Sequence, residues 1–342
     1  MDVVKAIPYS ITTTTIPNDL IFNHILPHLD GVTLATVSSS SRQLHSLSSH
    51  DHLWRDLCHR TWPSTAHPLL QQLISTFPSG HTMFYADSYP ALIHRRPPPS
   101  THLIRRHPQT HFLISAVDIQ FGQETLFSKV ESIDTESKYF LYSEFLVTVL
   151  GFKERVTVSA ESENWEEGDH EAEKILGENL KLSWIIIDPE SKRSGSVSTQ
   201  KPVSVNRHWL TGEVELEYST VFAAGNRGEL VKCAVVVTCG GGGKGGRWHV
   251  KEVSMKMEDI DGKMMKGKEC MEILQDALER GERKGDEEER KKGFNEYMEM
   301  VMKRKEKNQR KDGLLDLAAI SFFLTIFIIF FLCFLHFSLL KY

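Results

Sequence analysis

Ile16-Pro17-Asn18-Asp19-Leu20 opens the stretch that decides how this chain is read. It continues through Ile25-Leu26 and Leu29, then Leu34-Ala35-Thr36-Val37-Ser38, then Arg42, Leu44 and Leu47, and closes with Leu53-Trp54-Arg55-Asp56-Leu57. Pro17 suits the first turn of a helix, where a backbone donor is spare and the fixed φ is already helical. Asp19 in that turn complements the positive end of the helix dipole. Asp30 is placed to cap a second helix, and Ser40 with Gln43 has capping-box spacing for a third. Pro27 has no amide N–H to donate, so the first helix should kink or end near Leu26. Three short helices with a few apolar residues each bury little surface alone, so the segment should pack on a neighbour. It reads as a docking module rather than a catalytic one.

The ordered set resembles an F-box, through Ile16-Pro17, Leu20, Ile25-Leu26, Leu29, Leu34-Ala35, Val37-Ser38, Arg42, Leu44, and Leu53-Trp54 with Leu57. It departs from that pattern at Ile16, where Leu is commoner, and at Pro27. The resemblance implies a role: F-box proteins dock on the Skp adaptor of a cullin-based ubiquitin ligase and present a substrate. On that implication the Skp-binding residues are Ile16, Pro17, Leu20, Ile25, Leu26, Leu29, Leu34, Val37, Leu44, Trp54 and Leu57. The alternative is a three-helix packing element with no such partner.

The opposite end is of a different kind. Residues 317–340 carry no formal charge, apart from His336 when protonated, and are packed with Phe, Ile and Leu. As a helix, about two dozen residues reach roughly 36 Å, enough to cross a bilayer with some tilt. Just upstream lie Lys303, Arg304, Lys305, Lys307, Arg310 and Lys311, a flank that the positive-inside rule keeps in the cytosol. This is the pattern of a tail anchor, with the lipid bilayer as a partner and a cytosolic body. A buried core helix is the alternative, but such helices are seldom this long and apolar on every face.

A length of 342 residues suggests two domains with appendages. The net charge of −5 is mild, so no nucleic-acid partner is expected. Cys58, Cys233, Cys239, Cys270 and Cys333 are scattered without metal-ligand spacing, which favours a reducing compartment over a disulfide framework. Residues 1–15 lack a basic lead and a long apolar core, so they do not read as a secretory signal.

After Trp54 come Thr61-Trp62-Pro63 and then Pro68-Leu69-Leu70, Leu73, Ile74 and Phe77 at helical spacing, a helical extension. Arg95-Arg96-Pro97-Pro98-Pro99 should be a stiff spacer. Strand-like runs follow at 112–119, 139–150, 180–187, 213–221, 231–238 and 248–257. Val214, Leu216 and Tyr218 alternate with Glu215 and Glu217, the signature of a half-buried strand, and Asp188-Pro189, Thr211-Gly212 and Gly225-Asn226 supply turns. The acidic stretch 161–178 should be a mobile loop. The expected fold is α+β: a three-helix F-box at 14–60, a helical extension at 61–94, a Pro-rich linker at 95–109 and a mainly antiparallel β-sandwich-like domain at 110–261. An amphipathic helix at 262–280, a charged tether or solvated helix at 281–313 and one transmembrane helix at 314–340 complete it.

Chemistry-bearing motifs are sparse. Gly240-Gly241-Gly242-Gly243-Lys244-Gly245-Gly246 lacks the spacing of a phosphate loop and the hydroxyl residue after Lys, and it lies between strands, so it reads as a hairpin connection. His24, His28, His45, His50, His52 and His59 form no metalloprotease pair, and no nucleophile elbow occurs. No catalytic residue, metal or cofactor is expected.

The order of segments is similar to a plant F-box subgroup with uncharacterised C-terminal domains. Leu182-Ser183-Trp184-Ile185-Ile186-Ile187-Asp188-Pro189 and Arg207-His208-Trp209-Leu210-Thr211-Gly212-Glu213-Val214 are the phrases that carry this likeness. The implied function is a membrane-tethered substrate receptor of a Skp–cullin–F-box ligase acting on an unknown protein substrate. Against it stand a lectin-like or other binding module whose F-box serves assembly without degradation, and a membrane enzyme. Arg207, His208 and Trp209, with Asn226 and Arg227, are the candidate substrate-binding residues in the β-rich domain; Trp209 is alternatively a core residue.

Overall fold

Trp184-Ile185-Ile186-Ile187 are all fully buried within one strand, β5 (Leu180–Asp188). Successive strand side chains point to opposite faces, so an unbroken apolar run requires cover on both sides. The computed structural model, which describes residues 16–89, 92, 110–151, 153–158, 171–224, 229–241, 247–283 and 287–339, supplies that cover. Trp184 and Ile186, with Leu180 and Leu182, enter the core between two sheets; Ile185 and Ile187 meet the N-terminal helices. Strand β1 (Phe112–Phe121) divides in the same way, with Leu113, Val117 and Ile119 on one side and Ile114 and Ala116 on the other.

Both sheets are antiparallel. The first has four strands in the order β2-β1-β5-β6, with β2 at Glu124–Asp134 and β6 at Arg193–Ser196. Ala116 stands opposite Val130 on one side and Ile185 on the other. The second is ordered β3-β10-β9-β8-β7, with β4 also pairing β10. Its strands are β3 (Leu146–Leu150), β4 (Val156–Thr157), β7 (Ser204–Arg207), β8 (Val214–Ala224), β9 (Glu229–Gly241) and β10 (Trp248–Glu258). Val214, Leu216, Tyr218, Val235, Val237 and Val253 from this sheet pack onto the inner face of the first. The Tyr218 hydroxyl donates across the gap to the Leu180 carbonyl at 2.8 Å. Helix α8 (Glu171–Asn179) packs on β5 and β7, and α9 (Gly267–Arg280) on β6 and β8, so each bridges the two sheets. The fold is α+β, a two-sheet antiparallel sandwich with helices before and after it.

The N-terminal helices form a third layer. Helix α1 (Asn18–Leu20) runs on through a π turn at Ile21–Ile25 and ends in a 3-10 turn at Leu26–His28, where Pro27 removes the next helical donor. The Asp30 side chain caps α2 (Gly31–Ser40), accepting from the Thr33 amide at 2.7 Å. The cap of α3 (Arg42–Ser48) is Ser41 and not Ser40, whose hydroxyl is turned back to the Val37 carbonyl. Helices α4 (Asp51–Thr61), α5 (Pro68–Ser75) and α6 (Gly80–Ser88) then bury Leu53, Trp54, Leu57, Trp62, Leu70, Ile74 and Phe84 against Ile114, Ala116, Ile185 and Ile187.

Several expectations change. The Pro-rich linker at 95–109 lies outside the described residues, and the parts on either side of it are packed together rather than spaced apart. The Ser64 amide and hydroxyl donate to buried Asp118 at 2.8 and 2.6 Å, and Asp87 on α6 holds Arg193 of β6 at 2.7 Å and Arg283 at 3.1 Å. The run at 139–150 is split: α7 (Lys138–Tyr142) comes before β3, because Ser137 caps it by accepting from the Phe140 amide. The described part of the acidic insertion, from residue 171, is helical, with Ala172 and Leu176 on its buried side.

Residues 287–339 form one helix, α10 (Glu287–Leu339). Tyr297 is buried against the sandwich and its hydroxyl donates to the Asp259 carbonyl at 3.1 Å. Arg304 binds Asp261 with two hydrogen bonds, 3.0 and 3.1 Å. Beyond it the helix leaves the body, and the described side chains of its apolar part are exposed apart from half-buried Ile326.

Candidate functional site

The π turn and the 3-10 turn decide what the first fifteen described residues display. Widening the helix at Ile21–Ile25 places Leu26 inward, where it is 2 % exposed, while leaving Ile25 outside. Such insertions in a helix are common where a side chain must be re-aimed for function. Ile16, Leu20, Ile25 and Val32 are between 41 % and 57 % exposed. Pro17 is also exposed. Together they form the outward side of a segment whose inward side is firmly packed. The carboxamide nitrogen of Gln43 donates to the Asn18 side-chain oxygen, tying α3 to α1 and holding this side in shape. Thr33 N–H donation to Asp30 keeps that carboxyl below the usual range, so the cap of α2 stays ionised.

The eleven residues assigned to Skp docking therefore divide. Ile16, Pro17, Leu20 and Ile25 are at the surface, and Leu29, Val37 and Leu44 are half-buried. Leu26, Leu34, Trp54 and Leu57 are buried and offer no side chain to a partner. The Trp54 indole N–H is satisfied internally by the Ser48 carbonyl at 2.8 Å. Around Ile25 and Leu26, apolar spacing alone does not separate the inward from the outward residue, because the π turn shifts the helical phase. Val32, exposed near Leu34, lay outside the sequence assignment; its β-branched apolar side chain in the first turn of α2 was the available signal.

The second exposed feature is the turn between β7 and β8. Trp209 is 87 % exposed and Leu210 70 %, which overturns the reading of Trp209 as core. Gly212, at φ +68°, closes the turn, and Nδ1 of His208 accepts from the Thr211 amide at 3.2 Å. The His208 ring lies nearly parallel to the Trp209 indole, at a centroid distance of 6.4 Å. Arg207 pairs with Glu173 of α8 at 3.1 Å, and Lys251 of β10 holds Glu213 at 2.7 Å, so the base of the hairpin is fixed on both sides. The Lys251 hydrogen bond also keeps the Glu213 carboxyl below the usual range. Arg207 serves as an anchor and Trp209 as a tip. Asn226 and Arg227 lie outside the described residues.

Among the described residues no group of three or more His, Cys, Asp or Glu is arranged to hold a metal ion. Cys58, Cys233, Cys239 and Cys270 are buried, and desolvation pushes their thiols up, those of Cys233 and Cys239 to about 12. One helix among the described residues, α10, is long and apolar enough to cross a membrane.

Residues 14–60 match the F-box-like family. F-box protein At2g27310 of Arabidopsis thaliana is 39% identical over 331 residues, covering 92% of this chain and 94% of that protein. F-box protein At3g44326 of the same plant is 39% identical over 342 residues, covering 94% and 90%. The probable F-box protein At2g36090 is 34% identical over 314 residues, covering 90% and 89%. No solved structure matches the chain. The likeness to the relatives covers nine-tenths or more of the chain, and the chain belongs to the F-box proteins.

Proposed function

We propose that the chain is the substrate-recognition subunit of a Skp–cullin–F-box ubiquitin ligase, tethered to a membrane by the apolar part of α10. The observation that carries this reading is the two-sided F-box segment: a packed inner side, and the outward apolar residues Ile16, Leu20, Ile25 and Val32 that no other described residue covers. Burying apolar surface is worth about 25 cal/mol per Å², so such residues favour a protein partner. The Skp adaptor is that partner, and through it the cullin. Leu26, Leu34, Trp54 and Leu57 act on docking only by supporting the outward residues.

Bond-making chemistry belongs to the recruited conjugating enzyme. This chain supplies proximity, raising the local concentration of substrate near that enzyme. The buried, protonated state of the described thiols supports a non-catalytic part. The membrane tether places the body in the cytosol, where the basic residues upstream of the span hold it. Substrate recognition is assigned to the β7–β8 hairpin, where Trp209 and Leu210 project from an ion-paired base; large aromatic side chains dominate such contacts.

The test is copurification of the Skp adaptor and cullin with the full chain and with a combined Ile16→Asp and Leu20→Asp variant. These side chains are exposed, so the variant should fold as the parent does while losing the adaptor. Truncating one large anchor in such an interface costs about 2 kcal/mol or more, and two charges cost more. Adaptor retained at parental level by a folded double variant refutes the assignment. Trp209→Ser with Leu210→Ser should keep the adaptor and lose clients in proximity labelling; an unchanged client list places recognition elsewhere.

A further inference from the structure

The end of the sandwich from which α10 departs carries groups suited to a charged surface. Strand β10 ends at Glu258, and the turn after it is closed by Asp259, whose side chain accepts from the Asp261 and Lys263 amides at 2.9 Å each. Tyr297 and Arg304 clamp α10 to this turn. The exposed side chain of Lys263 lies on the same turn, and that of Lys266 follows it at the start of α9. Helix α7 stands beside it, joined through the Glu144–Lys266 bridge and the Gly267 amide, which donates to the Ser143 carbonyl at 3.1 Å. It presents Tyr139 and Tyr142, 84% and 68% exposed. The β7–β8 hairpin is at the other end of the same sheet, since Arg207 and Val214 pair near Cys239 while Val221 pairs Lys232.

Beyond Arg304 the helix carries Lys305, Lys307, Arg310 and Lys311, all exposed, with Glu306, 3.9 Å from Arg310, and Asp312 among them; the apolar residues begin at Leu314, and Asp316 is the last carboxylate before the uncharged run. Ten residues of helix separate Arg304 from Leu314, about 15 Å at 1.5 Å per residue. Headgroups occupy roughly 5–8 Å outside the hydrocarbon, from the difference between total and core bilayer thickness. The clamped turn is thus within about one Debye length of the headgroup layer when the apolar part spans. Arg304 pairs with Asp261, and Lys263 and Lys266 are exposed at this end, with Glu144, Glu269 and Glu272 the exposed acids on the neighbouring segments.

We propose that the basic collar of α10, with Lys263 on the clamped turn and Lys266 at the start of α9, binds anionic lipid headgroups. The body thereby stands on the membrane by its Asp259–Lys266 end and turns Trp209 away from it. The proposal rests on the membrane reading above. Partner choice follows from charge and continuity: the collar adjoins an apolar helix, and cytosolic leaflets carry anionic lipids that attract such clusters. Tyrosines suit the same interface, with an apolar ring and a wet hydroxyl.

The experiment uses the full chain in proteoliposomes of phosphatidylcholine doped with spin-labelled phosphatidylserine or spin-labelled phosphatidylcholine. The motionally restricted fraction reports which lipid gathers at the protein. Phosphatidylserine should be preferred on the order of fivefold or more. The preference should fall towards one in high salt, and also in a Lys305→Gln, Lys307→Gln, Arg310→Gln and Lys311→Gln variant. The salt arm needs no variant, so an unstable variant does not remove the test. A chain that floats with the vesicles yet shows no preference overturns the proposal and leaves the anchor standing. A chain that floats with neither vesicle overturns the anchor and the proposal together.

Discussion

Gly31 shows how a single atom couples the F-box segment to the rest of the body. A Cβ there would overlap the Tyr85 ring of α6, which is packed directly over the start of α2. Gly31→Ala should therefore force Tyr85 out of place and destabilise the chain by about 1–3 kcal/mol in chemical denaturation. Gly212→Ala is the contrast: nothing lies within reach of its Cβ, so only the positive φ opposes it, at about 1 kcal/mol. Asp118 makes a prediction about pH. Burial pushes its carboxyl above the usual range, against the hydrogen bonds from Ser64 and Ser128. A raised folded value means the folded chain holds the proton more tightly than the unfolded one. This contribution is therefore fullest below 3.8 and declines as pH rises from there through the folded value. Asp118→Asn keeps an acceptor for Ser64 without the buried charge, so its stability relative to the parent should improve as pH rises through that window. Denaturation midpoints at several pH values check it, and a flat difference would contradict the assigned cause. Trp209 marks what was illegible at this scale. Its size suggested core, whereas the neighbouring Thr211-Gly212 already announced a turn, and turn tips are exposed.

At the scale of elements, periodicity carried the reading wherever one face or both faces are buried. The alternation Val214, Leu216, Tyr218 and the unbroken Trp184–Ile187 run each named a strand. What covers the second face of β5 was not legible, because Trp54, Trp62 and Phe84 come from far upstream and meet it only after folding. Helix α8 was missed although Ala172 and Leu176 have helical spacing, since its acidic composition suggested solvation alone. The stretch from α1 to α2 yields a contrast between inner and outer residues. Leu34 is 1% exposed within the cluster that the sheet closes, so Leu34→Ala should cost about 2–5 kcal/mol of stability. Ile25→Ala, at the surface, should leave the unfolding midpoint nearly unchanged while weakening adaptor binding. Equal effects of the two substitutions on stability would show that the stretch is not divided into inner and outer residues as described.

For the whole molecule, the helices, the four-stranded sheet and the six-stranded sheet share faces and cannot be removed one at a time. Excising 110–261 would take away Ile114, Ala116, Ile185 and Ile187, and with them the cover over the N-terminal helices. Asp87 would lose Arg193 in the same step. Such a chain should misfold, so loss of clients in it would say nothing about where clients bind; hairpin substitutions are the sound comparison. The apolar end of α10 is the part that separates. Its described side chains from Leu314 onward touch little of the body, while Tyr297 and Arg304, which do, lie upstream. Deleting 314–342 should therefore leave the thermal unfolding of the body unchanged and release it from membranes. Full-length protein should resist alkaline carbonate and the truncated form should not. A glycosylation tag fused after Tyr342 should be modified if the anchor enters the endoplasmic reticulum, and one at Met1 should not. Extraction of the full-length chain by carbonate would refute the span. Early unfolding of the truncated chain would instead show that the apolar helix folds back on the body, because only then does its removal uncover surface that the body needs.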